Sequence, residues 1–202
     1  MRGITTFGLT VAAAVLTWSN ANAVSVTYYS SAASLEGALS SYSIEDFSSS
    51  VLNPGVSVTT VNGNVTGGLW ADVLVPSTPG TTWAFSSPIT GWGASFDLTP
   101  GGPGTGIDVT LDLYGGGNLV GQSILNPGGG QAFVGFYGLV SSAPFDHIVL
   151  TAGPQAGIQE TYDMDNMIYG GVAAVPDSSQ FVWLTPGILC LVHMIRRRLS
   201  IA

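Results

Sequence analysis

Along most of this chain, apolar and polar residues alternate one by one. Val56 and Val58 are interleaved with Ser57 and Thr59. Trp92, Ala94, Phe96 and Leu98 fall on one face of a later segment. Ile107, Val109, Leu111 and Leu113 share a face of the next, with Asp108, Thr110 and Asp112 opposite. A period of two sends successive side chains to opposite sides of an extended backbone, so these segments read as strands with one buried face. The same reading predicts strands over residues 24–29, 119–125, 132–138, 146–151 and 161–169. Residues 32–39 break the pattern: Ala32, Leu35 and Leu39 recur at intervals of three and four, which predicts one short helix.

Turns punctuate the strands. Asn62-Gly63 is the strongest hairpin signal, because both residues accept a positive φ. Gly-rich runs at 115–118 and 126–130 predict two more turns. Residues 101–106 lack the lysine of a phosphate-binding loop and read as a turn. Strands that each bury one face need a second sheet to cover them. The predicted fold is all-β: a jelly-roll-like β-sandwich with one short N-terminal helix, over residues 24–174.

The two ends follow a different pattern. Arg2, the apolar run from Ile4 to Trp18, and Ala21-Asn22-Ala23 read as a signal peptide over residues 1–23. Near the other end, residues 181–195 contain no Asp, Glu, Lys or Arg, and Arg196, Arg197 and Arg198 follow directly. As a helix those residues extend about 22 Å, short of a ~30 Å hydrocarbon core, and arginine snorkelling offsets part of the difference. The positive cluster predicts a transmembrane helix whose Arg end stays cytoplasmic, leaving the domain outside.

Val175, Pro176, Asp177 and Ser178, followed by that apolar helix and the three arginines, resemble the PEP-CTERM sorting tail of Gram-negative bacteria. Asp177 and Ser178 stand where the family has Glu and Pro. The resemblance spans residues 175–202 and implies an exosortase-like processing partner. It also implies export across the inner membrane, to a membrane-anchored, cell-surface or matrix location. Ile44-Glu45-Asp46-Phe47, Gly135-Phe136, the segment from Ala143 to Ile148 and that from Asp165 to Gly170 resemble β-sandwich domains that commonly precede such tails. Those domains are similar in fold to carbohydrate-binding modules.

Composition narrows the chemistry. Hydrophobic residues make up 46 % of the chain and charged residues 8 %, against ~25 % charged in typical soluble domains. There is no Lys, and Arg occurs only at positions 2 and 196–198. Between the ends stand eleven acids and one histidine. Such a domain cannot neutralise phosphates, which excludes nucleic acid as a partner. Divalent cations and neutral, hydroxyl-rich ligands remain. The single cysteine, Cys190, lies in the tail, so the domain has no disulfide.

Four groups of residues invite a functional reading. Asp163 and Asp165 fall on one face of a strand, about 7 Å apart. With no basic partner they would hold Ca²⁺, joined by Glu45 and Asp46 if the first and last strands are neighbours, or else cap turns. His147 would have to serve any Ser-His-Asp triad, but Asp146 beside it is expected on the opposite face, and no G-x-S-x-G elbow occurs. Acid pairs suited to glycoside hydrolysis are easily drawn from eleven acids and single out no site. Trp70 and Tyr114 lie near turns and are the candidate glycan-stacking rings, with core packing as the competing role. The leading expectation is an exported, non-catalytic surface or matrix protein associated with exopolysaccharide. The alternatives are a carbohydrate-binding module for a neutral glycan and a polysaccharide-acting enzyme.

Overall fold

The alternating segments become strands, and two of them run much further than their patterns predict. The computed structural model describes residues 24–76, 78–99, 109–125, 133–153 and 159–172. In chain order these form β1 (Val26–Tyr29), α1 (Ala32–Ala38), β2 (Ser41–Glu45), β3 (Val56–Thr59), β4 (Asn64–Thr66) and β5 (Leu69–Leu74). Then follow β6 (Thr81–Asp97), β7 (Val109–Gly115), β8 (Asn118–Ile124), β9 (Val134–Ala152) and β10 (Glu160–Gly171). The signal segment, the sorting motif at 175–178, the helix at 181–195 and the arginine cluster at 196–198 lie outside the described residues. No helix among the described residues is long and apolar enough to cross a membrane.

Every strand pairing is antiparallel, in the order β4-β5-β10-β6-β9-β7-β8, with β1 on β9, β2 on β10 and β3 on β6. The long strands β6 and β9 belong to both layers. The first half of β6 lies beside β3 and the last half of β9, while its second half lies beside β10 and the first half of β9. Their ladder breaks between Ala84 and Gly91, where the register shifts twice. Pro88 and Pro144 stand at this break. Proline donates no ladder hydrogen bond, so it is tolerated where strands bend from one sheet into the next. The result is a sandwich-like all-β fold in which two strands turn the corner.

The core fills the space between the layers. Trp92, Ala94, Phe96 and Leu98 are buried together, as are Val109, Leu111 and Leu113, and both sets join one cluster. Their alternation in the sequence is thus the alternation of core and surface. On the outer face of one layer, α1 places Leu35 over Gly93 and Gly138, with Leu39 and Ile168 beside it. The Ser31 side chain caps the helix by accepting from the Ser34 N–H.

One turn differs from expectation. Asn62-Gly63 does not close a hairpin, since β3 pairs with β6 and β4 with β5. The tight turns are Gly67-Gly68 and Gly116-Gly117, all four at positive φ. At 62–63 the Thr60 hydroxyl instead accepts both backbone N–H groups. Gly63 is needed there for space, because a Cβ would lie 2.3 Å from Cζ2 of Trp70.

Candidate functional site

One open edge of the sandwich lies between β1 and β8. Within the described pairings, β1 pairs only with β9 and β8 only with β7, so each leaves one edge free. The strands approach at Val26, whose Cγ2 would be 3.5 Å from a Cβ on Gly121. Nearby opens a cavity of about 460 Å³ lined by Tyr28, Gln122, Ser123, Ile124 and Tyr137. A second cavity of about 280 Å³ shares Tyr28 and Tyr137 and adds Tyr29, Phe133 and Phe136. Together they form a cleft with aromatic walls.

Its parts have separate causes. Tyr28 pairs with Leu139 on β9, so its side chain leaves the inner face at an uncovered edge, where it is 52 % exposed. Its ring centroid lies 5.9 Å from that of buried Tyr137, with the planes inclined by 44°. The Tyr137 hydroxyl and the Ser123 hydroxyl hydrogen-bond to each other, tying β9 to β8. Burial pushes the Tyr137 phenol up to about 12, so it stays neutral and protonated at physiological pH. On the outer face of β7 and β8, the Gln122 Nε2 donates to Asp112 Oδ1 at 2.7 Å. The cleft therefore offers an exposed ring, a second ring beneath it, and the joined hydroxyls of Ser123 and Tyr137.

The sequence-predicted rings lie elsewhere. Trp70 is 3 % exposed and packs edge-on against Trp83 at 4.9 Å, with Phe47 against both. This corrects its candidacy for stacking: β5 is paired on both sides, and its inward face belongs to the core. Tyr114 is half-buried on the outer face of β7, one ring face stacked on His147 at 4.9 Å and 2°. His147 differs from expectation as well. Its Nδ1 and Asp146 Oδ1 are 2.5 Å apart, although the two are neighbours in β9. Asp146 sits just past the break in the β6–β9 ladder, where strict alternation lapses. Its other oxygen accepts the Gly116 N–H at 2.9 Å, and these two bonds, the backbone one first, hold its carboxyl below the usual range. The pair pins the Gly116-Gly117 turn.

The four proposed cation ligands do not converge. β2 does neighbour β10, with Glu45 opposite Met167. Yet Glu45 is 3 % exposed and faces the core, where it accepts the N–H groups of Phe47 at 3.1 Å and Asn53 at 2.5 Å. Asp46 accepts the Ser48 N–H. Asp165 uses both oxygens on Asn166, which has φ +49° in a bulge of β10. Asp163 lies on the outer face opposite Asp97. Partial burial, then the Asp97 charge, raise its carboxyl above the usual range. Among the described residues, no group of three or more His, Cys, Asp and Glu is placed to hold a metal ion. Alternation explains the separation: Glu45 points inward and Asp163 outward.

The sequence pattern did not single out Tyr28. Adjacent Tyr28 and Tyr29 send one aromatic to each face of a strand, which signals an edge position where one ring meets solvent.

No protein-family model and no curated protein matches the chain. Among solved structures, a mutant of the carbohydrate-binding module CBM29-2 is loosely similar, at 14 % identity and a TM-score of 0.46 over 68 % of this chain and 99 % of that one. A family 29 carbohydrate-binding module from Piromyces equi follows at 15 % and 0.43, over 65 % of this chain and 91 % of that one. The catalytic domain of Agl-KA is similar at 16 % and 0.33, over 67 % of this chain and 29 % of its own.

Proposed function

We propose that the domain binds a neutral polysaccharide chain, without cleaving it, in the cleft between β1 and β8. The observation that carries this reading is the 52 % exposed Tyr28 ring set beside Tyr137 in a cavity that reaches strand β8 at residues 122–124. Sugars present apolar C–H faces and a perimeter of hydroxyls. An exposed aromatic takes the first, and the hydroxyls and free strand edges at the cavity take the second. Charge supports the choice of a neutral chain. The described domain has no Lys or Arg and carries a large excess of acids, so a polyanion is repelled.

Binding without cleavage is supported by how the reactive groups are used. His147 is engaged by Asp146 and stacked on Tyr114. Asp163 and Asp97 lie on the outer face of the layer that also carries β1, opposite to the inner face from which Tyr28 emerges.

Probing the full 202-residue chain, purified in mild detergent, on an array of neutral and acidic glycans tests the reading. Neutral glycans should be retained with little dependence on salt, and strongly anionic ones should not. Silence across the neutral glycans would remove the reading, and release of shorter sugars would replace binding with catalysis.

The ends of the sequence support a location for this activity. The A-x-A site at Ala21-Asn22-Ala23 and the tail from Val175 to Arg198 fit an exported protein held at the surface, processed by an exosortase-like enzyme and associated with exopolysaccharide. A chain ending at Asp177 should then appear in the medium; its retention in the membrane fraction would take the anchoring role from the tail.

A further inference from the structure

In β2 the usual alternation is reversed. A sheet packed on one side turns its apolar residues inward and its polar ones outward. Glu45 lies opposite buried Met167 and faces the core, whereas Tyr42 and Ile44 lie opposite Gly170 and Ile168 on the outer face. Ile168 is buried with Leu35 and Leu39, but Tyr42 and Ile44 are 45 % and 42 % exposed and belong to neither core cluster. Two positions apart on one strand, they stand about 7 Å from each other. Gly170 leaves the flank of Tyr42 open, and a Cβ there would lie 2.1 Å from the Ser41 carbonyl oxygen. Val172, also exposed, follows β10 directly, and its neighbour Gly171 lies opposite Ser41. Exposed apolar side chains thus gather at the point where the chain leaves the sheet.

We propose that Tyr42, Ile44 and Val172 rest on the lipid surface that holds the tail, an inference that depends on reading residues 181–195 as a membrane helix. Only residues 173–180 separate Val172 from that helix. Fully extended, such a tether reaches about 29 Å, and a domain of about 150 residues has a radius of gyration of about 15 Å. The exit point is therefore kept near the bilayer and the far side of the molecule out of its reach. A short tether also gives the patch a high effective concentration at the surface, so a small apolar contact is enough. Tyr42 suits that boundary, with a ring for the acyl region and a hydroxyl for the headgroups. The domain has no Lys or Arg, and Asp46 follows β2 directly, so the surface it fits is one of neutral headgroups. The same contact orients the cleft. One cross-strand row runs from Tyr42 through Gly170, Gly91 and Val140 to Thr27. β2 and β1 are thus opposite edges of one layer, about 19 Å apart at the usual strand spacing. Resting on β2 turns the β1 edge, with its exposed Tyr28, away from the bilayer and toward extracellular polysaccharide.

The experiment reconstitutes the full chain into phosphatidylcholine vesicles and recovers them by flotation. Spin labels are attached at Ser41→Cys on β2 or at Asn118→Cys at the start of β8, each with Cys190→Ser, because Cys190 is the native cysteine. On reconstitution the label at 41 should lose most of its collisions with a water-soluble nickel chelate, while the label at 118 keeps them. Adding Tyr42→Ser and Ile44→Ser should restore access at 41 and leave the melting temperature unmoved, since both side chains are exposed. Phosphatidylglycerol in the vesicles should not deepen the protection. If the chain floats but position 41 stays as accessible as 118, the docking surface is overturned and the anchor stands. Protection that survives the double serine variant assigns it to the tether alone, and protection that requires phosphatidylglycerol assigns it to charge; either result overturns the apolar patch. If the chain does not float, the anchor and the surface fall together.

Discussion

Two cavities of similar size open on this molecule, and they are built oppositely. The cleft between β1 and β8 measures about 460 Å³, and the groove on the outer face of β6 and β10 about 400 Å³. The groove collects Asp97, Asp163 and Asp165 beside Phe136 and Val134. Its carboxylates face one another or their own backbone, and Asp163 is held above the usual carboxylate range by burial and by Asp97. In the cleft the Ser123 and Tyr137 hydroxyls are joined to each other, and the principal ring stands in solvent. Charge density drew the sequence reading toward the groove. Orientation is what distinguishes a recognition surface, and orientation depends on pairings across β7, β8 and β9 that are far apart in the chain.

The sharpest way to break the comparison is to remove a ring from each environment. Trp70→Ala should destabilise the fold by about 3–5 kcal/mol, as the loss of a large buried aromatic does. Denaturant melts would show it, and a small change would return Trp70 to the surface. Tyr28→Ala should leave the melt within about 0.5 kcal/mol of wild type, as surface substitutions do. Its effect should fall on binding, with cellohexaose weakened at least tenfold, or about 1.4 kcal/mol.

Much of the domain was legible from alternation. The buried row from Trp92 to Leu98 and the row at Val109, Leu111 and Leu113 are found where period two puts them, and α1 docks through the predicted Leu35 and Leu39. The continuity of β6 and β9 was not legible. Pro88 and Pro144 look like chain breaks, and only the two-layer context shows that they occupy a bend. Asn62-Gly63 misled for a related reason: a local turn preference yielded to the space demanded by Trp70. Of the candidate sites, the acid pair at 163 and 165 does share a face, but Glu45 is on the other. Its two backbone acceptor bonds explain why an acid sits in the core, with Phe47 held at φ +52°. The cleft itself was hidden because exposure at Tyr28 follows from β1 being an edge.

The smallest effect concerns the groove. Asp163 is harder to ionise in the folded chain than in the unfolded one. Below the ordinary carboxylate range both states are protonated and nothing is lost, whereas above the raised folded value the repulsion is fully present. Stability should therefore fall slightly as pH rises through that window. Asp163→Asn should stabilise the protein at pH 7 by less than about 1 kcal/mol, the scale of a directly opposed like-charge pair, and leave it unchanged near pH 3. Equal stabilisation at both pH values would assign the gain to packing instead. Glycan affinity should not move in either case.

The central claim is that recognition belongs to the cleft and not to the groove, and NMR mapping tests it most directly. Titrating the labelled full chain with cellohexaose should shift the Tyr28 and Tyr137 ring resonances together, along one saturating curve, while Asp97, Asp163 and Asp165 stay still. Saturable shifts centred on those three aspartates, with Tyr28 unmoved, would contradict it.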